Sequence, residues 1–172
     1  MILLRRAGAV AVLIMGLGTG TAIAQSNDPE VLGEFGDWMA YAYKAADTKV
    51  CYISSRPKAS EPKSVKRDPA FFLVTHMPGR KVKGEISTII GYPFKKDSMA
   101  KLAIDAEAFD LFTNADGAWA DSSATEKKIV AAMKTGKLLT VAGTSWRGTD
   151  TVDSYALEGI SEALAKIDDA CK

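Results

Sequence analysis

Short apolar and aromatic segments, each bounded by turn residues, recur along most of the chain. Trp38 to Tyr43 is an aromatic-rich example that ends at the polar turn Ala46-Asp47-Thr48, as is typical of a β-strand. The strand-like segments follow one another at close spacing, which favours antiparallel pairing over β-α-β units. The predicted strands cover residues 38–43, 50–54, 71–75, 85–90, 100–104, 108–112, 117–120, 138–142 and 151–157.

One stretch, Arg56 to Pro69, interrupts this pattern. It holds three prolines, two serines and five basic residues. Proline removes a backbone donor and fixes φ, so the stretch is unsuited to a central strand or a helix interior. The sequence predicts a long exposed loop here.

Helical spacing of apolar residues occurs in two places. Ser123-Ala124-Thr125-Glu126 fits a capping box, and Gly136 is placed to end that helix. The second helix runs from about Gly159 to Cys171, with an apolar stripe on one face. The pattern therefore predicts a mainly β fold, an antiparallel β-sandwich with two short helices, one of them C-terminal.

The N-terminal region has the order of a secretory signal peptide. Arg5 and Arg6 precede an uncharged apolar run over residues 7–17, and Ala22-Ile23-Ala24 supplies the small residues of a cleavage site. The apolar run is shorter than the roughly 20 residues of a transmembrane helix. We expect a signal peptide over 1–24, a flexible leader over 25–32 and a single β-sandwich domain over 33–172, located in the periplasm or secreted, with no membrane span after cleavage.

The two cysteines change the picture because an exported chain meets an oxidising compartment. Cys51 shares a strand face with Ile53, and Cys171 lies on the apolar stripe of the last helix. A disulfide between them is the expected arrangement, with two free buried thiols as the alternative. Two thiols and one histidine do not make a zinc site, and the sequence predicts no metal or other cofactor.

Charge is distributed unevenly. Residues 56–101 carry eleven Lys or Arg and four Asp or Glu, a net charge of +7, within a nearly neutral chain. Such a field can attract an anionic envelope polymer or another envelope protein, whereas nothing predicts a specific nucleic acid. The alternative is that these are ordinary solvated loop lysines. The candidate partner surface comprises Lys58, Lys63, Lys66, Arg67, Arg80, Lys81, Lys83, Tyr92, Phe94, Lys95 and Lys96.

Candidate catalytic chemistry is sparse, and we expect that the protein is not an enzyme and has no catalytic residues. His76 is the single histidine, and Ser145 lies in a segment, 143–148, that nearly imitates the G-x-S-x-G nucleophile motif. A small periplasmic hydrolase using His76, Ser145 and a nearby Asp is the alternative, and a cleft joining the two residues would favour it. The short-spaced carboxylates of Asp150 and Asp153 are expected to be solvated, and Trp146, beside Arg147, is expected to be exposed.

A series of short motifs completes the sequence picture. They are Gly33-Glu34-Phe35-Gly36-Asp37-Trp38, residues 50–57 (VCYISSRP), Leu73-Val74-Thr75-His76, Gly91-Tyr92-Pro93-Phe94, residues 111–120, Gly143-Thr144-Ser145, Arg147-Gly148-Thr149 and Cys171. In this order they resemble the invasion-associated locus B family of exported bacterial proteins. The resemblance implies a small periplasmic or surface-associated protein with an immunoglobulin-like β-sandwich fold. One member of that family is linked to host-cell invasion, so the resemblance also implies a host protein as a partner, and it transfers no catalytic residue.

Overall fold

A computed structural model describes residues 28–172, so the predicted signal peptide over 1–24 lies outside the described residues. Within them the chain forms eleven strands, two helices and one 3₁₀ turn, Pro78–Arg80. The strands are β1 Glu30–Phe35, β2 Trp38–Lys44, β3 Lys49–Ser55, β4 Ala59–Glu61, β5 Phe71–Met77, β6 Val82–Ile89, β7 Met99–Ile104, β8 Glu107–Asn114, β9 Gly117–Trp119, β10 Leu138–Thr144 and β11 Asp150–Ala156. The helices are α1 Ser123–Thr135 and α2 Ile160–Ala170.

All strand pairs are antiparallel, in the order β1-β2-β3-β5-β6-β9-β8-β7-β10-β11-β4. The two ends of this sheet lie against each other. The indole Nε1 of Trp38 in β2 donates to the carbonyl of Ala156 in β11 at 3.0 Å, and the rings of Phe72 and Tyr155 lie 5.9 Å apart. The sheet therefore folds back into two layers, and the expected mainly β, sandwich-like fold with two helices is confirmed.

The core lies between the layers because side chains alternate between the faces of each strand. In β2, Trp38, Ala40 and Ala42 are buried, whereas the residues between them are half-buried on the outer face. In β5 the same alternation turns Phe72 and Val74 inward. None of the helices within residues 28–172 is long and apolar enough to span a membrane.

Helix α2 covers one end of the core, where its apolar stripe packs across β1, β2 and β3. Cys171, directly after the helix, forms the expected disulfide with Cys51 of β3, with their Cα atoms 6.0 Å apart. The bond joins the last helix to the first hairpin.

Helix α1 packs mainly on β6, and its N-terminus differs by one residue from the prediction. Ser122, not Ser123, is the cap: its backbone is extended and its hydroxyl accepts the Thr125 N–H at 3.2 Å. Gly136 ends the helix as expected. A side chain at that position would place a Cβ atom 2.6 Å from Ile104, so glycine permits the close approach of β7.

Two segment predictions need correction. The leader was expected to reach Leu32, but β1 begins at Glu30, because its backbone pairs with β2 from Glu30 opposite Ala42 onward. The loop over 56–69 contains the short edge strand β4, which pairs with β11. Pro57 and Pro62 flank this strand and so leave its backbone donors intact.

Candidate functional site

The predicted basic surface is divided between two ends of the β5–β6 hairpin. His76 pairs with Lys83 near the connecting turn, whereas Phe71 pairs with Ile89 at the other end. Arg80, Lys81 and Lys83 lie at the turn, and Arg67, whose guanidinium contacts the carbonyl of Ile90, lies at the opposite end. Lys95 also lies at that end. Its N–H donates to the carbonyl of Thr144, and the next residue, Ser145, forms a β-bridge with Phe94. The set does not form one surface.

Four of the predicted basic residues are also paired with carboxylates, which reduces the positive field that they present. The pairs are Lys58 with Asp37 at 2.7 Å, Arg80 with Asp47 at 2.9 Å, Lys83 with Asp168 at 2.8 Å, and Arg67 with Asp153.

The two aromatic members of the set have different positions. Phe94 is 7% exposed and belongs to the core, because its segment bridges to Ser145 and its ring packs against Gly143. Tyr92 is half-buried, and its hydroxyl lies 2.5 Å from Thr151 Oγ1. Only Tyr92 is therefore available to line a surface groove.

Arg67 and Asp153 form a buried ion pair beneath this region. The side chain of Asp153 is 1% exposed and that of Arg67 is 10% exposed. Arg67 reaches both carboxylate oxygens and the Ile90 carbonyl, and Ser60 donates to Asp153 at 2.6 Å. Burial disfavours the charged form of Arg67, but Asp153 outweighs this effect and holds the pKa of Arg67 above its ordinary value. The expectation that Asp153 is solvated is therefore wrong.

A groove of about 520 Å³ opens above this ion pair. Its walls come from the loop before β5, the segment after β6 and the loop between β10 and β11. They comprise Ser64, Val65, Lys66, Arg67, Gly91, Tyr92, Pro93, Ser145, Trp146, Arg147, Thr149 and Thr151. The Arg67 guanidinium lies over the Tyr92 ring, 5.7 Å from its centroid. Asp153 and Tyr92 together fix this cation in the groove wall.

Trp146 and Arg147 form the outer wall of the groove. Trp146 is 60% exposed, as expected, and the Arg147 guanidinium lies 4.8 Å from its ring centroid. A flat aromatic face can pack against a sugar ring, and a guanidinium can bind a carboxylate or phosphate through two parallel hydrogen bonds. Arg147 was not among the predicted site residues, although its place beside an exposed tryptophan was visible in the sequence.

The structure separates Ser145 from His76. Ser145 lines the groove, where its hydroxyl accepts the Thr149 N–H at 3.1 Å. His76 is buried in β5, near the other end of the hairpin, and lines a different cavity. No cleft among the described residues joins the two side chains, so the geometry that the hydrolase alternative requires is absent from this pair.

His76 instead contacts the backbone of β6 and a carboxylate of α2. Its Nδ1 accepts the Gly84 N–H at 2.9 Å, and its Nε2 lies 3.3 Å from Asp168 Oδ1. Burial raises the pKa of Asp168, but Lys83 and His76 together lower it below its ordinary value. Within residues 28–172 no three His, Cys, Asp or Glu side chains converge as metal ligands would.

Comparison with known proteins adds to this description. Neither the curated proteins nor the solved structures gave a match. The family model described as Invasion associated locus B (IalB) protein matches residues 38–168, from the first residue of β2 into α2. The match includes both walls of the groove, the buried ion pair, and His76 with Asp168. Because it spans most of the described chain, the protein belongs to the invasion associated locus B family.

Proposed function

We propose that the protein is a non-enzymatic protein of the periplasm or cell surface that binds an anionic polysaccharide of the envelope in the groove between Lys66 and Arg147. Family membership and the disulfide support an exported envelope protein. On this proposal the signal peptide over residues 1–24 is removed and the mature chain starts at Gln25.

The observation that carries the proposal is the combination of cations and an exposed aromatic ring in one groove. Lys66 and Arg147 supply two positive charges to its lining, Arg67 adds a guanidinium whose charge Asp153 balances, and Trp146 is 60% exposed beside Arg147. Sugar rings have apolar faces that pack on aromatic rings, and the acidic substituents of a polysaccharide form ion pairs with guanidinium groups. Ser64 and Thr149 add hydroxyl groups that can hydrogen-bond to sugar hydroxyls.

The arrangement favours a polysaccharide over a single-stranded nucleic acid. Nucleic acid sites stack successive bases on several aromatic side chains. Here Trp146, which is 60% exposed, is the exposed aromatic ring of the groove, since Tyr92 is half-buried and its hydroxyl is bonded to Thr151. One platform surrounded by cations matches one sugar ring with acidic neighbours.

Retention on immobilised heparin and on lipopolysaccharide tests this proposal. The wild-type protein should be retained, and the salt concentration needed for elution should fall with Arg147→Glu because an attractive charge becomes repulsive. Trp146→Ala should weaken binding about tenfold, since an aromatic contact contributes about 1 kcal/mol beyond its buried area.

Lys128→Glu is the matched control, because Lys128 is exposed on α1, is not part of the groove, and undergoes the same change of charge. It should elute like the wild type. Equal losses in Arg147→Glu and Lys128→Glu would indicate nonspecific attraction and contradict the proposal. Tighter binding of a single-stranded oligonucleotide than of either polysaccharide would contradict the proposed ligand and indicate a nucleic acid instead.

A further inference from the structure

A second cavity, of about 260 Å³, lies between the β5–β6 hairpin and the two helices. His76 and Asp168 line its inner side, Val130 and Leu164 its apolar walls, and Lys127 and Lys134 its mouth. A smaller cavity of about 180 Å³ shares His76, Lys83 and Asp168 with it. The His76–Asp168 pair therefore faces cavity space on two sides. This region is separate from the groove at Trp146.

The inner side of the cavity presents one buried donor without a partner, beside a carboxylate that Lys83 already contacts. Because His76 Nδ1 accepts the Gly84 N–H, the proton of the neutral imidazole is on Nε2. His76 is 5% exposed and its Nε2 has no hydrogen-bond partner, whereas Asp168 Oδ1 lies 2.8 Å from the Lys83 ammonium and, as a carboxylate oxygen, can accept a second donor. The two atoms are 3.3 Å apart, but their orientation does not allow a hydrogen bond between them. A buried polar atom without a partner is destabilising unless a bound molecule supplies the missing hydrogen bond.

The mouth of the cavity is positively charged. Lys127 and Lys134 are seven residues apart on α1 and share a helix face with Val130, and Lys83 approaches from β6. The lining thus contains three ammonium groups and one carboxylate. Lys83 is the only one of these lysines that contacts Asp168, at 2.8 Å, which leaves Lys127 and Lys134 for an incoming charge.

We propose that this cavity binds a small hydroxylated organic anion with a short aliphatic body. Its hydroxyl accepts from His76 Nε2, which satisfies the buried donor, and donates to Asp168 Oδ1 beside the Lys83 ammonium. Its carbon chain packs on Val130 and Leu164, and its carboxylate lies at the mouth with Lys127 and Lys134. The inference does not depend on polysaccharide binding at the Trp146 groove.

Each part of this ligand is complementary to a different feature of the cavity. An inorganic anion alone would leave the walls formed by Val130 and Leu164 uncovered, and at the inner end it would approach the Asp168 carboxylate. A neutral alcohol would leave the mouth lysines without a counter charge. A simple carboxylic acid with its carboxylate at the mouth would leave the buried His76 donor unsatisfied.

The ring of His76 provides a direct readout, because it is the only histidine in the chain. The imidazole NMR signals of the full protein are followed while 3-hydroxyhexanoate, hexanoate or 3-hexanol is added. The hydroxy acid should shift these signals saturably. The other two probes should bind about tenfold more weakly, since each lacks one polar interaction worth about one hydrogen bond.

Charge reversal at the mouth supplies the second test and avoids altering His76, which holds the backbone of Gly84. Lys127→Glu/Lys134→Glu should abolish the saturable shift, whereas the control Lys128→Glu/Lys166→Glu changes the same net charge at exposed positions outside the cavity and should retain it. Equal shifts with all three probes, no shift with any, or equal loss in both double variants would overturn the proposal. Heparin retention should be unchanged in Lys127→Glu/Lys134→Glu, so the two sites can fail separately.

Discussion

At the scale of single residues, the buried contact between Arg67 and Asp153 determines the shape of the groove. Two charges in the interior are tolerated only when they are paired and their remaining hydrogen-bonding groups are satisfied. Ser60 and the Ile90 carbonyl supply those further bonds. The result is a charge-balanced groove wall that is held in place before any ligand arrives, so little side-chain entropy is lost at Arg67 when a ligand binds.

Asp153→Asn should lower the free energy of unfolding by about 3–5 kcal/mol, because the variant leaves the Arg67 charge buried without its counter charge. Urea denaturation measures the change. Asp37→Asn is the matched control: Asp37 pairs with Lys58 at a surface where the Lys58 side chain is 59% exposed, and its loss should cost less than about 1 kcal/mol. Similar values for the two variants would contradict the interpretation of Arg67–Asp153 as a buried pair.

The sequence contained part of this information. Alternation along the predicted strand 151–157 places Asp153 on the same face as Thr151 and Tyr155, which are both buried. That pattern was a signal for an inward carboxylate. The identity of its partner was not predictable, because Arg67 is 86 residues away and lies in a loop without periodicity.

At the scale of secondary-structure elements, the hydrophobic pattern located nine of the eleven described strands and both helices to within a few residues. It missed β1, which overlaps the expected leader, and β4, since three residues between prolines give no measurable alternation. The sequence analysis also assigned to one surface the basic residues of turns that the fold places apart. A chain enters and leaves a strand at opposite ends, so Lys81, before β6, and Lys95, after β6, lie at different ends of this strand.

The junction between β11 and α2 depends on Gly159. This residue has φ of +82° and lies so close to β1 that a Cβ atom would approach the Phe35 carbonyl oxygen to 2.3 Å. Gly159→Ala should destabilise the protein by about 1–2 kcal/mol for the left-handed conformation and by a further 1–3 kcal/mol, roughly, for the steric contact.

Gly148→Ala isolates the first of these effects. Gly148 has φ of +84°, and nothing lies within 4 Å of its would-be Cβ atom. Thermal unfolding should therefore show a smaller loss for Gly148→Ala than for Gly159→Ala. Equal losses would mean that the approach of β1 to this junction does not limit the residue at position 159.

At the scale of the whole molecule, the disulfide connects elements that are 120 residues apart. A cross-link that closes such a loop restricts the unfolded chain, and chain-entropy arithmetic gives a stabilisation of about 4–5 kcal/mol. Reduction should lower the urea midpoint accordingly. The variant Cys51→Ala/Cys171→Ala should unfold at the same midpoint with and without reductant, and a wild-type midpoint that is insensitive to reductant would contradict the prediction.

The position of Cys171 also constrains when the molecule can be completed. On the proposed export, its partner Cys51 enters the oxidising compartment 120 residues earlier and stays unpaired through most of the chain's passage. During that interval Cys51 is open to small thiols and to cysteines of other proteins, which makes a thiol-exchange enzyme a natural participant in its maturation. Chains arrested before residue 171 should carry Cys51 as a free or mixed-disulfide thiol, whereas finished chains should carry neither.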